Sequence, residues 1–199
     1  MFKKLIAYNR SYRRFYGDKI ITKETLLSLV DYARLSASGA NKQPLRYIVS
    51  YEKQVNEIIY PTLAWAGYFA DWSGPEEEER PSAYIIILQD KDHKMVGGVD
   101  HGIAAQSILL GAVEIGLGGC IIGNIKRDAL SKSLTIPDQY EILLIVAIGK
   151  PKEVVVINEI NVGEDVKYWR DENQVHHVPK LKLADVVLNC TKSLVCTKP

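Results

Sequence analysis

The sequence predicts one globular domain of mixed helices and strands built around a buried central helix. Residues 97–124, GGVDHGIAAQSILLGAVEIGLGGCIIGN, hold about four turns of helix formers between Asp100, a suitable N-cap, and Gly116, a suitable helix-ending glycine. Residues 83–88 and 141–148 are unbroken apolar runs, the pattern of strands covered on both faces. A chain of 199 residues with 47% hydrophobic content suits a single domain, so residues 1–199 are expected to form one.

Ile103, Ala104, Ala105, Ile108, Leu109, Leu110, Ala112, Val113 and Ile115 cover nearly the whole circumference of the central helix. Asp100, Ser107, Gly111 and Glu114 make one narrow small or polar stripe. The helix falls short of the roughly 20 apolar residues of a membrane span and carries Asp100, His101, Gln106 and Glu114. A chain this small has difficulty surrounding such a helix alone, so a second copy sharing the core is expected.

In chain order, residues 2–8 read as a short amphipathic helix. It leads into Arg10, Ser11, Arg13 and Arg14, three arginines and a serine within five residues. Planar charge-assisted donors beside a hydroxyl suit a phosphate, although a solvated basic turn has the same composition. Thr22 opens the next helix, with Thr25 as the alternative cap, and Leu26, Leu29, Val30 and Ala33 give it an apolar face. The small, polar loop Ser36-Ala37-Ser38-Gly39-Ala40-Asn41-Lys42-Gln43-Pro44 then precedes a strand over 46–51. Such residues let a flat ligand approach the backbone, and they are also common in ordinary connections.

Residues 52–80 are the least legible. The aromatic stretch 60–72 is read as a mobile cover over a ligand site in preference to core, and the acidic run 75–81 as a solvated loop. The glycine-rich 116–124 lacks the Lys-Ser/Thr of a phosphate-binding loop and follows a helix, so it is no dinucleotide fingerprint. It can still offer backbone N–H groups to a ligand edge. A helix from about Lys126 precedes the strand at 141–148, which 154–157 extend, and a last strand is expected over 184–188.

The net charge of +1 gives no sign of nucleic acid or an anionic membrane. The N-terminus lacks the apolar region and cleavage site of a signal peptide, so the expected compartment is the cytoplasm. Cys120, Cys190 and Cys196 form neither a metal spacing nor a disulfide framework, and adjacent His176 and His177 point in different directions. No metal site and no catalytic side-chain constellation is expected. Ligand-holding residues without reactive groups are the usual arrangement of an enzyme whose cofactor does the chemistry.

These motifs, in this order, resemble the FMN-dependent nitroreductase family. Its Arg-Arg-Ser-x-Arg-x-Phe opening is similar to residues 9–15, with Asn9 replacing the first arginine. Its Ala-Pro-Ser-x-x-Asn-x-Gln-Pro-Trp loop is similar to 36–45, with Ala37 for proline and Leu45 for tryptophan. Its Asp-x-Gly-Ile-Ala-Ala-Gln and Gly-Leu-Gly-x-Cys-x-Ile-Gly segments resemble 100–106 and 116–123. The resemblance spans residues 9 to 151, with a weaker match reaching Lys180.

The resemblance implies an α+β fold, a mixed and mostly antiparallel sheet flanked by helices, and a homodimer packed through the central helix with FMN between subunits. It implies that Arg10, Ser11 and Arg13 hold the phosphate with Lys180. Ala37, Ser38, Gly39 and Asn41 would meet the flavin, and the backbone of Ile121, Ile122 and Gly123 would face its reactive edge. The implied activity is ping-pong hydride transfer from NAD(P)H, through flavin N5, to a nitroaromatic, quinone or enone, with Trp65, Tyr68 and Phe69 about the acceptor. A flavin-binding protein without turnover, such as a redox sensor, is the alternative. A purely structural dimer is the non-flavin alternative.

Overall fold

The computed structural model describes residues 1–69, 71–93 and 98–188. The expected C-terminal tail, with Cys190 and Cys196, lies outside them. The chain forms two compact units, Met1–Glu153 and Val154–Pro199.

The first unit runs α1 (Phe2–Tyr8), β1 (Phe15–Tyr16), α2 (Lys23–Leu35), β2 (Leu45–Ser50), α3 (Lys53–Ile59), β3 (Ala83–Asp90), α4 (Asp100–Glu114), β4 (Gly118–Ile122), α5 (Arg127–Ser133) and β5 (Tyr140–Pro151). Its sheet is antiparallel throughout. β5 is central, with β3 and then β2 on one side, while β4 and β1 share its other edge end to end. Ile85 pairs with Val146 and Cys120 with Ala147.

Both faces of this sheet are covered, which explains the unbroken apolar runs. Ile85, Ile87, Val146 and Ile148 pack under α2 and α4 through Leu26, Leu29, Ala105 and Ile108. Tyr84, Ile86, Ile145 and Ala147 pack on the other side against Ile59, Leu63, Trp65 and Leu130. Each such side chain, fully buried, contributes about 1.5–3 kcal/mol. Thr22 caps α2 as expected, its Oγ1 accepting the Thr25 amide at 3.3 Å.

The end of α4 is also as expected. Gly116 takes a left-handed φ of 75°, and the amides of Gly116 and Leu117 return to the carbonyls of Val113 and Ala112. Its beginning differs. Val99 holds the cap position and Asp100 is the first helical residue, because the Asp100 carboxylate is engaged by the loop at Ser38. Within one chain α4 is buried on one side only. Ala104, Ala105, Ile108, Leu109 and Ala112 face the core, whereas Ile103 is 37% exposed.

Two further expectations are corrected, and α3 arises in a segment the sequence leaves unread. Val55 and Ile59 place too sparse an apolar stripe on residues 53–59 to announce α3. The first half of the aromatic stretch is core and not cover, since Leu63 and Trp65 are buried. The acidic run is not wholly solvated either, because Glu79 is buried among cations.

The second unit holds β6 (Val155–Ile160), β7 (Trp169–Arg170), β8 (His176–Leu181) and a short helix α6 (Leu183–Val186). β6 is parallel to β8 and β7 antiparallel to it, so residues 154–157 begin a strand of a separate sheet and do not extend β5. The expected strand at 184–188 is replaced by α6, where the Asp185 amide closes a turn on the Lys182 carbonyl. His177 stacks on Trp169 with centroids 4.8 Å apart, between Asn158 and Asp171. Among the described residues no group of three or more His, Cys, Asp and Glu side chains is placed to hold a metal.

Candidate functional site

The segment after α1 is tied down from three directions. Asn9 donates to Gln106 of α4 at 3.1 Å, Tyr12 donates its amide to the Gly119 carbonyl at 3.0 Å, and Ser11 bridges Gly119 of β4. The amides of Arg13 and Arg14 both donate to the Glu153 carboxylate. Asn9, which stands where the family motif has an arginine, therefore serves as a strut to α4.

The arginines divide in role. Arg14 forks onto Glu79, its Nη2 lying 2.7 Å from Oε1, and Lys152 meets the same carboxylate at 2.8 Å. Arg14 thus leaves the expected anion grip. Arg13 is buried, with Nη1 donating to the Ser11 carbonyl at 3.3 Å. Arg10 donates Nη2 to the Ile6 carbonyl at 2.9 Å, while its Nε is buried with no hydrogen-bond partner. Burial lowers the Arg10 pKa from its ordinary value. A desolvated guanidinium with a spare N–H gains from an anion, as charge-assisted pairs do.

The loop after α2 is pinned to the other end of the same helix. Asp100, almost fully buried, accepts the Ser38 hydroxyl at 2.6 Å and the Gly39 amide at 3.1 Å. Ser38 Oγ in turn accepts the Gln43 amide at 2.9 Å. Arg46 closes the loop by donating to the Gln43 carbonyl at 3.0 Å and pairing with Asp90 at 3.2 Å. Within this frame Ala40, Asn41 and Gln43 all have positive φ, 47°, 52° and 48°. Non-glycine residues held left-handed cost about 1–2 kcal/mol each, and such strain gathers at ligand sites. Ala37 and Ser38 line a niche of about 160 Å³ with Tyr47 and Asp100. The Tyr47 phenol is pushed up to about 12, first by burial and then by Asp100, and so stays protonated at neutral pH.

β4 supplies the third part. Ile122 is buried, while Ile121 and Gly123 reach the surface. Gly119 has no room for a side chain, since a Cβ there would lie 2.3 Å from the Ala147 carbonyl. The Cys120 thiol is buried; burial raises its pKa, against the opposing pull of Arg13. Lys180 sits exposed on β8, in the second unit.

The residues present fit a phosphate-bearing, flat ligand. Arg10 has a buried spare donor, the 38–43 loop spends strain to shape itself, and Ile121 and Gly123 lie open. Asp100, Gln106 and Arg46, which fix these parts, were missed as site residues. The signal that could have found two of them is the Asp-x-Gly-Ile-Ala-Ala-Gln motif, which Asp100 opens and Gln106 closes.

The nitroreductase family model matches residues 6–150. An FMN reductase (NADPH) of Bacillus subtilis is 29% identical over 160 residues, covering 73% of this chain and 64% of its own. A nitroreductase family protein from Clostridium novyi shares the fold with a TM-score of 0.65 at 24% identity, over 76% of this chain and 86% of that one. An FMN-dependent nitroreductase from Clostridium difficile gives a TM-score of 0.61 at 24% identity, over 85% and 92%. With the match running from α1 into β5, through all three parts described above, the chain belongs to the nitroreductase family.

Proposed function

We propose that this FMN-dependent NAD(P)H oxidoreductase works by a ping-pong cycle, as a cytoplasmic homodimer with the cofactor seated between subunits. When bound, FMN supplies hydride exchange at N5, first with NAD(P)H and then with a nitroaromatic, quinone or enone. The chain's own residues hold and orient. Arg10, Ser11 and Arg13 take the phosphate, residues Ala37, Ser38, Gly39 and Asn41 meet the ring, and the backbone of Ile121, Ile122 and Gly123 faces the reactive edge.

The observation that carries this reading is the double duty of α4. Asp100 fixes the 38–39 loop and Gln106 fixes the segment at Asn9. Six residues of helix separate them by about 9 Å, and the partly exposed Ile103 lies between. The niche of about 160 Å³ is far below the 300–1,000 Å³ of an enclosing ligand site, so a second subunit over α4 would complete it. Among the described residues no helix is long and apolar enough to cross a membrane.

The visible spectrum of the purified protein tests the cofactor. Flavin bands near roughly 370 and 450 nm are expected, together with steady-state oxidation of NADH or NADPH. A yellow protein without turnover would favour the redox-sensor alternative, and a colourless one would overturn both readings.

Light scattering tests the assembly. A dimer is expected, with an interface above about 2,000 Å² in the range of obligate pairs. A well-folded monomer at micromolar concentration would refute it. Cys120→Ala is expected to retain NAD(P)H oxidation, since the thiol is buried and held protonated. Loss of turnover with FMN still bound would assign the thiol a chemical part.

A further inference from the structure

A cavity of about 580 Å³ in the first unit contains none of the residues proposed above to meet the flavin. It opens between the turn after β1, the start of α3 and the entry to β3, and its volume is that of a small-molecule site. Tyr16, Tyr51, Tyr60 and Tyr84 give it flat apolar walls, with Tyr84 only 1% exposed. Arg80 lies over the Tyr60 ring, its guanidinium carbon 4.0 Å from the centroid. That ring is itself anchored, because the Tyr60 hydroxyl donates to the Pro75 carbonyl at 2.8 Å.

Two residues of the lining each carry an orphaned polar atom. Arg80 Nε and Ser82 Oγ are both buried and have no hydrogen-bond partner. Their neighbour Asn56 bonds elsewhere, accepting from the Ser50 hydroxyl and donating to the Ser82 carbonyl. Native proteins rarely leave such groups without a partner, so each of the two has hydrogen-bonding capacity to offer.

We propose that this cavity binds a small monocarboxylate with a flat apolar body, its carboxylate on Arg80 and Ser82 and its body between the tyrosine rings. A guanidinium edge matches a carboxylate in geometry as well as charge. The rim sets the charge limit. Asp18, Glu57, Glu77 and Glu78 outnumber Lys19 and Lys53 there, and Lys53 is already paired with Glu57 and Glu77. Those exposed charges are screened by water and weakly oppose a monoanion, while they oppose a dianionic phosphate more.

The test is calorimetric titration of the protein as purified with benzoate and with benzamide, a neutral molecule of the same shape. Benzoate is expected to bind at least tenfold more tightly than benzamide. Arg80→Gln should remove that preference and leave benzamide unchanged. Ser82→Ala should weaken benzoate several-fold; the hydroxyl has no protein partner, so this variant is expected to fold even if Arg80→Gln does not. Equal affinity for the two probes, or undiminished benzoate binding in Ser82→Ala, would overturn the proposal. When the protein carries flavin, its visible bands should not move on adding benzoate, and a shift would place benzoate at the flavin instead. The titration reads equally well on a colourless protein, so it stands apart from the flavin assignment.

Discussion

Glu79→Gln is expected to cost about 3 kcal/mol of folding stability at pH 7, and to cost almost nothing near pH 2. Glu79 is buried, forked by Arg14 just before β1 and met by Lys152 just after β5. The Arg14 fork is the largest cause holding its carboxyl from the ordinary 4.5 down to about 2, with Lys152 adding to it against burial. At ~1.4 kcal/mol per pH unit, that depression corresponds to about 3 kcal/mol. The sign follows from a folded-state pKa below the unfolded one. The contribution is complete above pH 4.5 and is lost as pH falls toward 2. Gln keeps the shape and loses the charge, leaving two partly buried cations without their anion. Urea unfolding of both proteins at pH 7, 4 and 2.5 measures the difference. A gap that stays constant across that range would mean packing, and not charge, is what Glu79 contributes.

The same residue shows where the sequence was hard to read. Within Glu76-Glu77-Glu78-Glu79 nothing local distinguishes the last from its neighbours, and only the fold brings Arg14 and Lys152, 65 and 73 residues away, to it. The two central strands and α4 were legible because burial on both faces writes itself as unbroken apolar runs. Gly116 was legible because a left-handed helix end selects glycine. Asp100 was half legible: its place at the head of α4 was visible, while its use as an acceptor for Ser38 and Gly39 depends on a loop some 60 residues earlier. The apolar character of residues 184–188 suited either strand or helix, and a turn at Lys182 decided it. The candidate site segments were legible as a family pattern, not as isolated chemistry, since Arg10, Arg13 and Arg14 look alike in sequence and differ only in what surrounds them.

Arg10→Ala is expected to weaken FMN by about 10- to 100-fold while leaving riboflavin nearly unchanged. A charge-assisted hydrogen bond is worth about 1.5–3 kcal/mol, and each 1.4 kcal/mol is a decade in affinity. Arg10 has the spare buried donor for that bond, its Nη2 being held by Ile6 and its Nε having no partner. Riboflavin keeps the ring and ribityl chain and lacks only the phosphate, so it reports everything except this contact. Arg13→Ala makes the contrast. Arg13 is buried and bonded to the Ser11 carbonyl, so its truncation should weaken FMN and also lower Tm. Titrating the apo forms of wild type and both variants with the two ligands separates the possibilities. Equal losses for FMN and riboflavin in Arg10→Ala would point to a folding defect, and no loss for either would make Arg10 an ordinary basic turn residue. Either result would remove Arg10 from the phosphate site.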